Sequence, residues 1–417
     1  MKIRNSILIF FADLYRVWRR ELRLVFRDEG VVIFFFVLCA VYPILYALIY
    51  DTEVANDVKV VVVDNDRSQL SREFARALDA TPEVKIVQYV ANMQEAQQLM
   101  AEKECYGVVL LPSGFERDVI TGVQGHVSLY CDMGALMRYK QMLMGLTSVQ
   151  QSVSNGMMKE KLAIFTNDNS AVIESKQVPL GNTAMGLASA LLPCVFVLVL
   201  QQSMLLGIGM LRGGSRERRL ENRGYDPMDV GAGVIATVLG RALCHWVLYL
   251  IPTIYVLHFA PVFFSYPQNG QVVDIALMVL PFLFATSFMG QTISVFVNDR
   301  ESVFITIVFT SVIFVFLTGI SWPRYAMSQF WIIVGNAIPS TWACNSYVMM
   351  QTGGASLEQL KESHFMLWAL AAIYFVFACV VEKYLFRARA RRMQHYAKGD
   401  PDALLREEYR RNAVDRM

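Results

Sequence analysis

Long uncharged stretches alternate with short, strongly charged ones along this chain. The first, 31–50, is roughly twenty residues long, enough to cross a hydrocarbon core as one helix. Arg16, Arg19, Arg20, Arg23 and Arg27 crowd its N-terminal side, and Asp51, Glu53 and Asp57 follow it. The positive-inside rule places the N-terminus in the cytoplasm and Asp51 on the far side. Further spans are expected at 184–211, 230–258, 272–297, 303–320 and 365–386. The basic loop from Arg212 to Arg223 and the turn 298–301 fall inside, and the loop 261–271, without Lys or Arg, falls outside. The last span ends in Lys383, Arg387, Arg389, Arg391 and Arg392, so the C-terminus is inside as well. Between the fifth and sixth spans, 329–338 and 341–350 are each too short to cross. Pro339 separates them, so 328–350 is expected to form a re-entrant or interfacial helix pair. Trp322, Tyr325, Phe330, Trp331 and Trp342 suit the outer interface.

After the first span the periodicity changes. β-Branched runs at 58–64, 84–90, 106–112 and 126–132 read as strands, with helices at 69–80, N-capped by Ser68, and at 92–104. A long helix over 135–165 returns towards the membrane. Residues 51–183 are thus expected to be an inserted extracytoplasmic α/β domain with a mixed sheet. Residues 5–28, within a cytoplasmic segment 1–30, read as an amphipathic helix. Ile9, Leu14, Val17, Trp18, Leu22, Val25 and Phe26 can share a face. It is either a membrane-surface helix or a docking surface for a cytoplasmic partner. The tail 387–417 is charged and cytoplasmic.

Composition agrees. Of 417 residues, 55% are hydrophobic and 18% charged, against about a quarter charged in soluble proteins. The fold expected is an α-helical polytopic membrane protein: six transmembrane helices in 31–50 and 184–386, the re-entrant pair, and the inserted domain. The first run is too long for a signal-peptide core and is expected to stay as an anchor. Seven cysteines are scattered without a CxxC pair; a bridge between Cys105 and Cys131 is left open.

Chemistry is sparse. The chain has no GxxxxGK[ST], GxSxG or HExxH, and its five histidines are dispersed, so it cannot grip ATP through a P-loop, and no catalytic residue can be named. Asp64, Asp66 and Asp132 could ligate a hard cation, but they lack EF-hand spacing and suit turns and caps better. No metal, no cofactor and no nucleic-acid partner is expected; lipid is. Gln201 and Gln202 sit at bilayer depth, where amides need partners. They are either interhelical glue or the lining of a path.

Three stretches carry a resemblance. VDNDRSQLSREFARAL with YGVVLLPSGFERDVITG, LTGISWPRYAMSQFWIIVGNAIPSTWACNSY, and the Gly240-Arg241 pair resemble the ABC-2 type permeases of bacterial ABC exporters that carry a large domain after the first span. The segment GSRERRLENRGYDPMD departs from the Gly-Thr-Leu-Glu-like loop usual there. The resemblance implies a multi-pass permease of the bacterial inner membrane, paired with a second copy or a paralogue. It also implies a separate ABC ATPase subunit that binds and hydrolyses the ATP, and a periplasmic adaptor protein as a further partner of the inserted domain. On that footing Arg20, Arg23, Arg216, Glu217, Arg218, Arg219, Asp299, Arg300 and Glu301 are expected to couple to the ATPase. The second and fifth spans would line the path, with Gln201 and Gln202 facing it. Two other classes are weighed against this: a membrane-anchored extracytoplasmic binding or signalling protein, and a secondary transporter. Six charge-poor spans exceed what an anchor needs, and no buried carboxylate is apparent in the spans to take a coupling proton.

Overall fold

A computed structural model describes residues 2–50, 56–121, 123–132, 136–166, 181, 186–222, 226–297 and 299–399. The expected domain edges at 51 and 183, Arg223, Asn298 and the tail beyond Gly399 lie outside the described residues. The chain divides into two compact units, Met1–Asp51 with Leu180–Met417, and Thr52–Pro179.

The Thr52–Pro179 unit contains β1 (Val58–Asp64), α3 (Gln69–Asp79), β2 (Val84–Val90), α4 (Met93–Ala101), β3 (Gly107–Leu111), α5 (Phe115–Thr121), β4 (Ser128–Cys131) and α6 (Leu136–Thr166); α1 and α2 precede it in the chain. The sheet order is β2-β1-β3-β4, parallel except for the antiparallel β3–β4 pair. A central strand covered on both faces needs apolar residues at successive positions. The valine run of β1 supplies them: Val60 and Val62 pack with Phe74, Leu78, Met142 and Leu146, while Val61 and Val63 pack with Val90 and Ala96. The Ser68 hydroxyl accepts from Ser71 N at 3.0 Å and caps α3. Asp64 accepts from the backbone of Asp66 and Arg67, and Asp66 from Gly114 and Glu116, so both carboxylates close turns. Cys105 and Cys131 are free, and burial pushes both thiols up.

The other unit holds α1 (Lys2–Arg27), α2 (Glu29–Ile49), α7 (Leu187–Glu221), α8 (Val234–Phe263), α9 (Val272–Ile293), α10 (Ser302–Leu317), α11 (Gln329–Asn336), α12 (Pro339–Gly353) and α13 (Lys361–Gly399). Among the described residues, five helices are long and apolar enough to cross a membrane: α2, α7, α8, α9 extended to Phe296, and α13. The fifth expected span differs. α10 has 16 residues, about 24 Å of helix against a core of about 30 Å, so it does not by itself reach across.

α7 is central, with 83% of its apolar window buried against 22% in α2 and α13. The expected loop after it is also different: 212–221 continues α7 as helix. Gly213 lies at the start of this stretch, and a Cβ there would lie 2.7 Å from the Asp299 carbonyl carbon. The missing side chain lets the turn before α10 close on the helix. α11 and α12 form the short pair expected before the last span, with Pro339 at the start of α12, where its missing N–H costs nothing. Two wide π turns interrupt the spans, Ile33–Val37 in α2 and Tyr255–Phe259 in α8. Phe35, in the first, is fully buried; its ring lies 5.0 Å from that of Tyr249, and Gly207 leaves the space it occupies.

Candidate functional site

α1 buries one face. Val17, Arg20, Glu21, Leu24 and Val25 are buried at helical spacing, while Phe11, Tyr15 and Phe26 remain exposed. Two charged groups on an apolar stripe require partners, because an unpaired buried ion is costly. The Glu21 carboxylate faces His245 Nε2 at 3.5 Å, Arg241 Nε at 3.7 Å and Arg20 Nη1 at 3.7 Å. Arg241 donates onward to Glu382 Oε2 on α13 at 3.1 Å, and Arg212 of α7 reaches the same oxygen at 2.5 Å. His245 Nδ1 lies 2.9 Å from Ser287 Oγ on α9.

A second node joins this one through Arg20. Its Nη2 donates to Asp226 Oδ2 at 3.2 Å and its Nε to the Met228 carbonyl. Asp226 also accepts from Ser215 Oγ at 2.6 Å, Arg218 Nε at 3.1 Å and Met228 N at 3.1 Å. Burial alone would raise the Glu21 carboxyl, but His245, Arg241 and Arg20 outweigh it and bring the pKa down to about 2. Asp226 is shifted in the same direction: burial opposes, and Arg218, Ser215 and Arg20 prevail. Both groups stay ionised. The network therefore ties α1 to α7, α8, α9 and α13 through charge-assisted bonds, which are stronger and more directional than neutral ones.

Beside the second node lies a cavity of about 420 Å³, lined among others by Leu24, Arg27, Glu217, Met228 and Arg300. Arg300 spans its edge, 2.8 Å from Asp28 and 3.3 Å from Glu217. Glu217 also accepts from Arg300 N at 2.9 Å. The sequence-derived coupling residues therefore divide. Arg20 is buried within the network and Arg218 belongs to the Asp226 node. Arg219 reaches Ser215 at 3.1 Å and Asp229 at 3.7 Å. Asp299 accepts from Ser302 N at 2.7 Å and closes the turn before α10. Arg23, Arg216 and Glu301 are exposed, although Arg216 also touches the Val297 carbonyl at 3.4 Å.

Gln201 and Gln202 lie elsewhere on α7. The Gln201 carbonyl oxygen accepts from Ser340 N at 2.8 Å, at the start of α12. Both amide atoms of Gln202 are buried without a partner among the described residues. Sequence reasoning missed Glu21, Asp226 and Glu382 as site residues and found no buried carboxylate. The structure corrects this: Glu382 lies inside the last span and is buried, and so is Glu21. The available signal was Arg241 and His245 within an apolar run, which demand an acid from another helix.

A family model described as ABC-2 family transporter protein matches residues 30–380. No curated protein matches the chain.

Proposed function

Because the chain belongs to the ABC-2 family of transporters, we propose that it is the permease subunit of an ATP-driven exporter. It works as a dimer, with a second copy or a paralogue, and takes its energy from a separate ATPase that binds the ATP. The site lies at the cytoplasmic face of a bacterial inner membrane, with both termini inside. α10, together with the residues around it, forms the fifth of six spans. α7 and α10 flank the path. The Thr52–Pro179 unit stands outside, where it meets a periplasmic adaptor, and α6 is its lever.

One observation supports this most directly: the polar network joining α1 to the long apolar helices α7, α8, α9 and α13 beside an open cavity. A partner seated against Arg23, Arg216, Glu217, Arg300 and Glu301 pushes on α1 and the end of α7. The Arg20–Asp226 and Glu21–Arg241–Glu382 contacts pass that displacement to α8 and α13 without a water-filled gap. Arg20, Arg218 and Asp226 thus transmit rather than dock.

The buried carboxylates do not favour a secondary transporter. Glu21 is held at about 2 by its cationic neighbours, so it does not take up a proton at physiological pH. Glu382 is shared by two arginines.

The test is purification of the tagged chain from its native membrane in mild detergent, with identification of what accompanies it. A stoichiometric P-loop ATPase is expected, and Arg300→Glu is expected to weaken its retention at least tenfold while the permease stays monodisperse. A chain recovered alone even after crosslinking overturns the exporter reading.

A further inference from the structure

α12 begins deep in the bundle. Gln201, which meets its first turn, lies fourteen residues along α7 from Leu187, about 21 Å of helix in a core about 30 Å thick. The first N–H groups of any helix lack intrahelical acceptors and carry a partial positive charge. Here Pro339 offers no N–H, the Ser340 N–H goes to Gln201 Oε1 at 2.8 Å, and the Thr341 N–H goes to the Ile338 carbonyl at 3.1 Å.

Around this helix end three further donors are idle. Ser340 Oγ, Thr341 Oγ1 and Gln201 Nε2 have no partner among the described residues, and all three side chains are fully buried. Buried polar groups are nearly always satisfied, so three orphans at one helix terminus call for an explanation. All three carry hydrogens, and the helix end adds positive potential of the same sense. Oxygen anions are what such a constellation binds. Discontinuous helices whose N-termini point at anionic groups near the membrane midplane recur in transporters. Beside the pair, Phe330, Trp331 and Ile333 of α11 present exposed apolar surface for a hydrocarbon tail.

We propose that the first turn of α12, with Ser340, Thr341 and Gln201, binds the phosphate or carboxylate headgroup of an amphipathic cargo when α12 parts from α7. This rests on the transport reading above and adds the chemistry of the cargo to it. In the closed arrangement the donors are shut in, which makes the site a property of the opening pair.

The experiment uses the full-length chain in dodecyl maltoside. Dodecyl phosphate, laurate, the zwitterionic dodecylphosphocholine and inorganic phosphate are each titrated, with the thermal-unfolding midpoint and the number of bound molecules by native mass spectrometry as readouts. Dodecyl phosphate and laurate are expected to raise the midpoint and bind in discrete number. Ser340→Ala and Thr341→Val are expected to weaken both effects at least tenfold, and Ser113→Ala, exposed in the Thr52–Pro179 unit, to leave them unchanged. Neither test substitution removes a hydrogen bond present in the structure, so both proteins are expected to fold, and their unliganded midpoints check it. Inorganic phosphate displacing dodecyl phosphate supports the same site with free phosphate as its source; phosphate without effect assigns it to the lipid-like headgroup. Equal response to anionic and zwitterionic amphiphiles, or equal binding by the variants, overturns the proposal and leaves a buried water site only. None of these readouts involves an ATPase, so a failed exporter reading would leave anion binding intact.

Discussion

Glu21 is the side chain whose removal has the clearest consequence. It neutralises Arg241 in a place that both water and membrane lipid leave dry, and breaking such a pair from one side costs about 3–5 kcal/mol. Glu21→Gln is therefore expected to lower the thermal midpoint of the Met1–Asp51/Leu180–Met417 unit by several degrees. Glu21→Gln combined with Arg241→Met is expected to recover part of the loss, measured as a double-mutant cycle. The same group gives a pH dependence of defined sign. Its folded pKa of about 2 is below the usual 4.5, so its contribution to stability is present above about 4.5 and is lost as the pH falls towards 2. Asp226 acts in the same direction. The gap in midpoint between wild type and Glu21→Gln is thus expected to be constant from pH 7 to 6 and to shrink from pH 4.5 to 3. A gap independent of pH would remove Glu21 as an ionised strut. The need for this residue could be inferred from Arg241 and His245, but its identity could not. Glu21 and Glu382 lie 220 and 141 positions from Arg241 (241 − 21 and 382 − 241), and no local pattern links residues that far apart.

Among the elements, α7 carries a close backbone approach just past its apolar run. Gly213→Ala would place a methyl group 2.7 Å from the Asp299 backbone, and backbone yields less readily than a side-chain tip. Overpacking of this kind typically costs about 1–3 kcal/mol. Gly156→Ala in α6 meets nothing within 4 Å and is expected to stabilise its helix by roughly 0.5–1 kcal/mol. The two variants should move the unfolding of their own units in opposite directions. Elements with strong patterns were legible: β1 and β2 occupy 58–64 and 84–90 as the valine-rich runs indicate. α5 was not, because its seven residues are too few to show helical periodicity. The helical course of 212–221 was hidden by its charges, which read as a loop when only hydropathy is followed. Gln201 is intermediate: its need for a partner was plain, but not that the partner is a backbone N–H at a helix start.

At the scale of the whole chain, two units with separate cores imply separable folding. The Thr52–Pro179 unit covers both faces of its sheet with its own helices. A fragment of residues 56–166 is expected to be soluble, to show mixed α/β circular dichroism and to unfold cooperatively; a fragment without a sigmoidal transition would refute this. This division was legible in the sequence as the switch from uncharged runs to alternating strands and helices. The number of crossings was less so, because hydropathy fixes where apolar residues lie, and α10 ends before its apolar neighbours do. The wide turn at Ile33–Val37 carries a last consequence. It holds an additional residue relative to a regular helix, so losing one residue there heals the helix and keeps the two flanking stretches in phase, whereas losing one from a regular turn beside it rotates everything before it by about 100°. Arg20 and Glu21 would then face away from Asp226 and Arg241. Between the ionic strut and the first span the chain is thus a measured length with one slack point: it tolerates loss of a single residue in the wide turn, but an insertion or deletion elsewhere only when a second one nearby restores the count.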